Sequence, residues 1–288
     1  MKNGFAVSIC MITYNHESYI KQAIEGVLMQ KTNFDFELVI GEDCSTDSTR
    51  LICEEYANRE TQICLLPSKS NLGVMPNFTR TLKACTGKYI ALCEGDDYWT
   101  DPFKLQKQVN ILEKDNSIGL VHTSCKFWDE NMNFFFTTNY AYSNNQNYTF
   151  NKLFLKNTIS TCTTMFRKHT FDNFESFPQG DLSMWLYIAI NSKIVGMEDV
   201  TSVYRIANNS LSSWNNPTKR IKFLENWLKI QSFYYTNYDI PAYLIIKKYI
   251  EHINDMLKIS IKTKSISPLI KGIIFIKKEI IKIMKYKK

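Results

Sequence analysis

Four short, apolar, β-rich runs, each giving way to polar residues at its far end, constrain this chain more than any other feature. They cover Val7–Thr13, 36–43, 63–66 and 89–93. Helical patterns separate them: 19–30, 46–58 with Ser45 as an N-cap candidate, and 75–84 with Gly87 as a C-cap candidate. Strand, helix and strand joined by short links predict an α/β fold, a mainly parallel sheet covered by helices on both faces. Ligands of such sheets bind beyond the carboxyl ends of the strands. Three of these ends carry polar groups: Thr13, Tyr14 and Asn15; Glu42 and Asp43; and Glu94, Gly95, Asp96 and Asp97. Three strand ends serving one sheet edge form the first site signal.

The second half is less regular. Helices are expected at 104–113 and 181–191, the latter entered through Pro178-Gln179-Gly180, and strands at 118–123, 159–167 and 194–206. A polar, Asn-rich loop is expected over 129–147, and helices from Pro217 onward. No linker interrupts the body, so one domain over 1–215 followed by a helical region over 216–288 is the expected organisation. With 288 residues, 44% apolar and 14% aromatic, the chain can bury a sizeable core, which excludes a disordered protein.

Several chemistries are excluded by what the chain lacks. Gly-x-Gly-x-x-Gly is absent, and Gly87-Lys88 has neither the upstream glycine nor the following Ser or Thr of a phosphate loop. None of the eight cysteines forms a Cys-x-x-Cys pair, and His16, His122, His169 and His252 are scattered, so no zinc site is expected. Cysteines inside apolar runs suit buried free thiols in a reducing compartment. What remains is the turn Glu94-Gly95-Asp96-Asp97. Carboxylates of this kind hold Mg²⁺ or Mn²⁺ and leave coordination positions for phosphates. Taken alone, it could equally be a solvated acidic turn with Asp97 capping the next segment.

Its neighbours decide between these readings. The runs Val7-Ser8-Ile9-Cys10-Met11-Ile12-Thr13-Tyr14-Asn15, Val39-Ile40-Gly41-Glu42-Asp43-Cys44-Ser45, Asn71-Leu72-Gly73 and Gly87-Lys88-Tyr89 through Trp99 follow in this order. Together they closely resemble the family 2 glycosyltransferases of the GT-A fold, over roughly residues 5–210. The resemblance implies inverting transfer of a sugar from a nucleoside diphosphate, UDP being favoured, with Mg²⁺ or Mn²⁺ as cofactor. It implies that Thr13, Tyr14, Asn15, Asp43, Asn71, Asp96 and Arg205 contact the nucleotide sugar, with Asp43 on the base edge. Asp96 would bind the metal, with Glu94 where the family more often has Asp; Cys44 stands where it commonly has Gly. Arg205 lies two residues before Ala207, where the family pattern has His. Asp97 and Trp99 are the expected sugar or acceptor contacts. Asn77 and Arg80 read as a solvated helix face, and Trp128 and Trp185 as core.

An inverting displacement needs a base for the acceptor hydroxyl. Asp181, opening a helix, matches the family's acidic residue in that role, and a helix N-terminus favours its ionised form. The acceptor is expected to be a glycan or a lipid-linked sugar. Two other readings stand beside this one. A nucleotidyltransferase would carry a Gly-rich basic loop after the first strand, where this chain has Thr13-Tyr14-Asn15-His16. A degenerate homologue that binds without turnover is motivated by Glu94 and Ala207.

The net charge of +7 is unevenly placed. Residues 258–288 hold ten lysines and one acid, a net of +9, which leaves −2 for the rest. Ile270, Ile273, Ile274, Ile280, Ile281 and Met284 recur at helical spacing, with Lys271, Lys278, Lys282 and Lys285 on another face. Such a helix is expected to lie on an anionic membrane surface, which places the protein peripherally on the cytoplasmic face. Nucleic acid is not an expected partner, because the body is slightly acidic.

Overall fold

The computed structural model describes residues 5–129, 134–138, 150–168, 180–206 and 216–286. By internal contacts the chain divides into two units. The first takes Met1–Thr149, Thr158–Phe174 and Ile188–Arg205; the second takes Phe150–Asn157, Glu175–Tyr187 and Ile206–Lys288. The second is thus wider than 216–288, since two earlier segments join it.

Among the described residues the first unit is built on a nine-stranded sheet. Its strands are β1 (Val7–Thr13), β2 (Phe36–Glu42), β3 (Ile63–Leu65), β4 (Tyr89–Leu92), β5 (Tyr98–Trp99), β6 (Ile118–Asp129), β7 (Phe134–Thr138), β8 (Met165–Arg167) and β9 (Lys193–Ile206). They lie in the order β3-β2-β1-β4-β8-β6-β9-β5, with β7 paired to β6. β1 pairs parallel with both β2 and β4, and β2 with β3. Beyond β4 the pairings of β4 with β8, β8 with β6, β6 with β7 and β5 with β9 are antiparallel. The parallel half is the part whose strands alternate with helices in sequence, α1 (Ile20–Leu28), α2 (Thr49–Arg59) and α3 (Val74–Ala84). A parallel pair needs such a crossover, whereas antiparallel neighbours do not. Val7, Ile9, Met11, Leu38, Ile40, Tyr89 and Ala91 form the centre of the core, against Ile20, Ala23, Ile24 and Val27 of α1.

Two expected caps do other work. Helix α2 begins after Ser48, and the Ser45 hydroxyl instead accepts the Asn15 N–H at 3.0 Å. Helix α3 ends at Cys85, and Gly87 lies against β1, where an added Cβ would stand 2.5 Å from the Ser8 nitrogen. Gly87 is there for close approach, and its N–H donates to Ser8 Oγ at 2.7 Å. Asn77 and Arg80 are not a solvated face. Asn77 is buried and donates to the Gly41 carbonyl at 2.7 Å, while Arg80 donates to the carbonyls of Glu42 at 2.7 Å and Pro67 at 2.5 Å.

Helix α4 (Lys104–Lys114) buries Lys104 completely. Its ammonium donates to Gln108 Oε1 at 2.6 Å and sits 4.6 Å from the Trp99 ring centre, and burial lowers its pKa to about 7.

The second unit contains α5 (Phe150–Leu155), the start of α6 (Asp181–Asn191), α7 (Pro217–Asn237), α8 (Ala242–Thr263) and α9 (Ser267–Tyr286). Gln231 donates to the Phe154 carbonyl at 2.6 Å and the Tyr234 hydroxyl to the Ser183 carbonyl at 2.7 Å, which ties α7 to α5 and α6. Lys264, in the left-handed region at φ 51°, turns the chain from α8 into α9. Gly272 of α9 then meets Met256 of α8, where a Cβ would stand 2.6 Å from Met256 Cγ.

Gly87→Ala should lower unfolding stability by about 1–3 kcal/mol in urea denaturation, because the clash is with backbone and cannot relax by a rotamer change. An unchanged midpoint would show that β1 and the loop before β4 can separate freely.

Candidate active site

The site grows from the last two carbonyls of β1. Ile12 O accepts the Gly95 N–H at 2.9 Å, and Thr13 O accepts the Asp43 N–H at 3.0 Å. The central strand therefore holds the loop after β2 on one side and the acidic turn after β4 on the other. Gly95 allows this approach: a Cβ there would stand 2.4 Å from Thr13 Oγ1 and 3.1 Å from His16 Nδ1.

The β1 and β2 loops are locked together by short polar side chains. Asn15 takes φ 54° and its Oδ1 accepts the Thr46 N–H at 2.8 Å. His16 N–H donates to Thr49 Oγ1 at 2.7 Å, and Ser48 N–H to Glu17 Oε2 at 2.9 Å. Cys44 takes φ 60°, a left-handed conformation in which a side chain is strained, which explains a preference for Gly at this place. Asp43 is buried, and its two carboxylate oxygens accept the N–H groups of Leu72 at 2.9 Å and Gly73 at 2.8 Å. Asn71 Nδ2 donates to the Asp43 carbonyl at 2.9 Å. Asp43 and Asn71 thus build one wall, while Tyr14, 42% exposed, presents its ring to solvent.

The acidic turn is held from below. Asp97 is 2% exposed, and its Oδ1 accepts the Arg205 N–H at 2.8 Å. Burial, followed by the charges of Asp96 and Glu94, pushes the Asp97 carboxyl well above the usual carboxylate range. The Arg205 guanidinium lies 4.5 Å from the Tyr98 ring centre and 4.9 Å from that of Tyr19, and donates to the Asp96 carbonyl and to Gln22 Oε1. Two of its five donors are thereby occupied in shaping the turn. The Asp96 side chain, by contrast, is 33% exposed, and its Oδ2 stands 4.0 Å from His16 Nε2.

Two sequence expectations are corrected here. Trp99 is 2% exposed and its indole N–H donates to the Cys162 carbonyl at 2.8 Å, so the ring is core and offers no face to a sugar. Asp97 is likewise buried and supports the turn from inside. Both follow β4 so closely that sequence alone places them at the site; the short strand β5, which turns them inward, was not legible. His16 was missed as a site residue, although its place directly after Asn15 was the available signal. Among the described residues no group of three or more His, Cys, Asp and Glu side chains could enclose a metal ion. Glu94 is half-buried in the same turn as Asp96. Ala207 lies outside the described residues.

In the second unit Asp181 opens α6 as expected. Its Oδ1 accepts the Leu182 N–H at 2.7 Å and its Oδ2 the Asn157 amide at 3.0 Å. These bonds favour the carboxylate, but desolvation is the larger effect and raises its pKa. The helix N-terminus alone suggested the opposite.

A model of the family described as Glycosyl transferase family 2 matches residues 8–174, more than half of the chain. The chain belongs to this family. The match takes in β1 from Ser8 onward, the loop at Asp43 and the whole acidic turn. WfgD of Escherichia coli, a UDP-Glc:alpha-D-GlcNAc-diphosphoundecaprenol beta-1,3-glucosyltransferase, is 30% identical over 249 residues, covering 79% of this chain and 94% of that protein. Rv1520, an uncharacterized protein of Mycobacterium tuberculosis, is 49% identical over 109 residues, 38% of this chain. This chain thus covers 32% of that relative's length. Solved structures share the fold. TarS 1-349 of S. aureus in complex with UDP-GlcNAc superposes with a TM-score of 0.64 at 17% identity, over 92% of this chain and 79% of that one. The mannosyltransferase PcManGT of Pyrobaculum calidifontis, in complex with GDP-Man and Mn2+, gives 0.63 at 15% identity, over 95% and 74%. This family 2 glycosyltransferase therefore has the GT-A architecture, with its parallel strand ends gathered at one edge.

Asp43→Ala should leave the Leu72 and Gly73 N–H groups without their acceptor and cost about 1–3 kcal/mol in denaturant unfolding. Asp43→Asn, which keeps one acceptor oxygen, should fall between the two. Equal stability for all three proteins would mean that the wall does not depend on this carboxylate.

Proposed function

We propose that this glycosyltransferase inverts the anomeric centre while moving a sugar from a nucleoside diphosphate, UDP in preference, to a glycan or lipid-linked acceptor in cell-surface polysaccharide synthesis. The observation that carries the proposal is the convergence of the Thr13–Asn15 loop, the Asp43–Asn71 wall and the partly exposed Asp96 on the end of β1. WfgD, with its UDP donor and diphosphoundecaprenol-linked acceptor, supports the donor and acceptor classes. TarS with UDP-GlcNAc supports the nucleotide.

Thr13, Tyr14 and Asn15 hold the nucleoside, with Tyr14 supplying an exposed ring and Asp43 a lone pair on each oxygen for the base edge. Asn71 braces the same wall through the Asp43 carbonyl. Asp96, with Glu94 behind it, would hold Mg²⁺ or Mn²⁺. The donor set fits a cation carried in on the diphosphate: one partly exposed carboxylate with an imidazole nearby suits an ion that keeps most of its positions for phosphates and water. When bound, that ion neutralises the leaving diphosphate. Arg205 keeps three donors for phosphate oxygens. Asp181 accepts the proton of the acceptor hydroxyl as its oxygen bonds to the anomeric carbon. The bond from that carbon to the diphosphate breaks, and its electron pair leaves with the nucleotide.

The isoleucine-rich helix supports work at a membrane. Helix α9 packs through Pro268, Gly272, Ile276 and Glu279, and the opposite face carries Ile270, Ile273, Ile274, Ile280, Ile281 and Met284, each 40–67% exposed. Helix α8 adds Ile246, Ile250, Leu257 and Ile261 along one stripe, also exposed. No helix among the described residues is long and apolar enough to cross a membrane. The proposed position is peripheral, on the cytoplasmic surface, where the free thiols would stay reduced.

Asp181→Asn should lower kcat by about 10²–10⁴-fold while UDP affinity holds. Because the base must be ionised, activity falls as pH drops through its raised pKa, so the acid limb of kcat/KM should lie above the ordinary aspartate value of ~3.9. Asn157→Ala removes a donor to the ionised form and should move that limb to higher pH still. Full turnover in the Asp181 variant would remove it from the mechanism.

A further inference from the structure

The second unit contains a cavity of about 430 Å³ between α7 and α9. Its charged lining is Lys229, Lys271, Lys278 and Lys282 with Glu225 and Glu279, a net of +2. Only Lys282 of these lysines is ion-paired among the described residues, to Glu279 at 2.7 Å. Lys229 spreads over the Phe275 ring at 5.6 Å, which leaves its ammonium at the cavity wall. Ile274 lines the same cavity and also belongs to the exposed isoleucine face of α9. The cationic opening therefore borders the apolar stripe.

We propose that this cavity binds the dianionic phosphate headgroup of a membrane lipid, a phosphomonoester or diphosphate, while the adjoining isoleucines enter the acyl region. The argument is charge and place. A net of +2 matches a dianionic phosphate better than a singly charged phosphodiester. A helix lying in the interface plane sets its apolar face at the headgroup boundary, so lysines on the flank of that face stand level with the phosphates. A compact ammonium suits phosphate oxygens as a point charge. A free phosphate shares this chemistry, but Ile274 at the rim points to a ligand that carries a chain. The proposal rests on the peripheral membrane reading above and adds a headgroup preference to it.

The test is co-sedimentation of the full chain with phosphatidylcholine vesicles containing either phosphatidic acid or phosphatidylglycerol, matched for surface charge. The native protein should favour phosphatidic acid by about tenfold. Combined Lys229→Gln, Lys271→Gln and Lys278→Gln should abolish that preference without moving the thermal midpoint. Combined Lys258→Gln, Lys262→Gln and Lys264→Gln, the same charge change on and just after α8, should weaken binding to both vesicles equally and keep the preference. Equal native binding to the two lipids, or a preference that survives the cavity substitutions, overturns the headgroup site alone. Native protein that ignores both vesicles overturns the membrane reading and the headgroup site together. Displacement from phosphatidic acid by millimolar inorganic phosphate, without loss of phosphatidylglycerol binding, would make free phosphate the occupant and overturn the lipid assignment.

Discussion

Two backbone hydrogen bonds at the end of β1 organise the rest of the catalytic edge. Ile12 and Thr13 give their carbonyls to Gly95 and Asp43, so one central strand fixes the loops of both its neighbours. Each loop then depends on a residue that tolerates the geometry. Gly95 has no Cβ to strike Thr13, and Asn15 adopts the left-handed turn that lets its side chain reach Thr46. The site is consequently a product of sheet register, and its residues come from four segments far apart in sequence.

Below this edge lies a largely buried layer that decides the shape of the exposed turn. Arg205 holds the Asp96 carbonyl from between two aromatic rings, and Asp97 takes the Arg205 N–H. The acidic turn therefore divides its carboxylates by environment. Asp97 is buried with its carboxyl pushed up, whereas Asp96 stays partly exposed above it. Burial, reinforced by neighbouring charges, sets two adjacent aspartates apart.

The parallel half of the fold was legible because each strand there is a mostly apolar run giving way to polar residues, and helical periodicity fills the gaps. Helix α6 and its first residue Asp181 were legible for the same reason. The antiparallel half was legible in part: the runs expected at 118–123, 159–167 and 194–206 fall on β6, β8 and β9, although β8 keeps only three residues of its run. Strand β5, two residues long, is too short for any period to show, and it is β5 that carries Trp99 inward. Pairing across long sequence separations also hid the use of Gly87 and Arg80, whose partners Ser8 and Glu42 lie far away along the chain. The pKa of Asp181 went against the local argument because desolvation outweighs two hydrogen bonds and a helix terminus.

Hydrogen exchange of the full chain, with and without UDP and Mn²⁺, tests the central claim most directly, since a ligand raises protection where it suppresses local opening. The account predicts added protection in the peptides holding Thr13 to Glu17, Glu42 to Ser48, Asn71 to Gly73 and Glu94 to Tyr98. Nucleotide-dependent protection elsewhere in the sheet, with these three loops and the acidic turn unchanged, would contradict it.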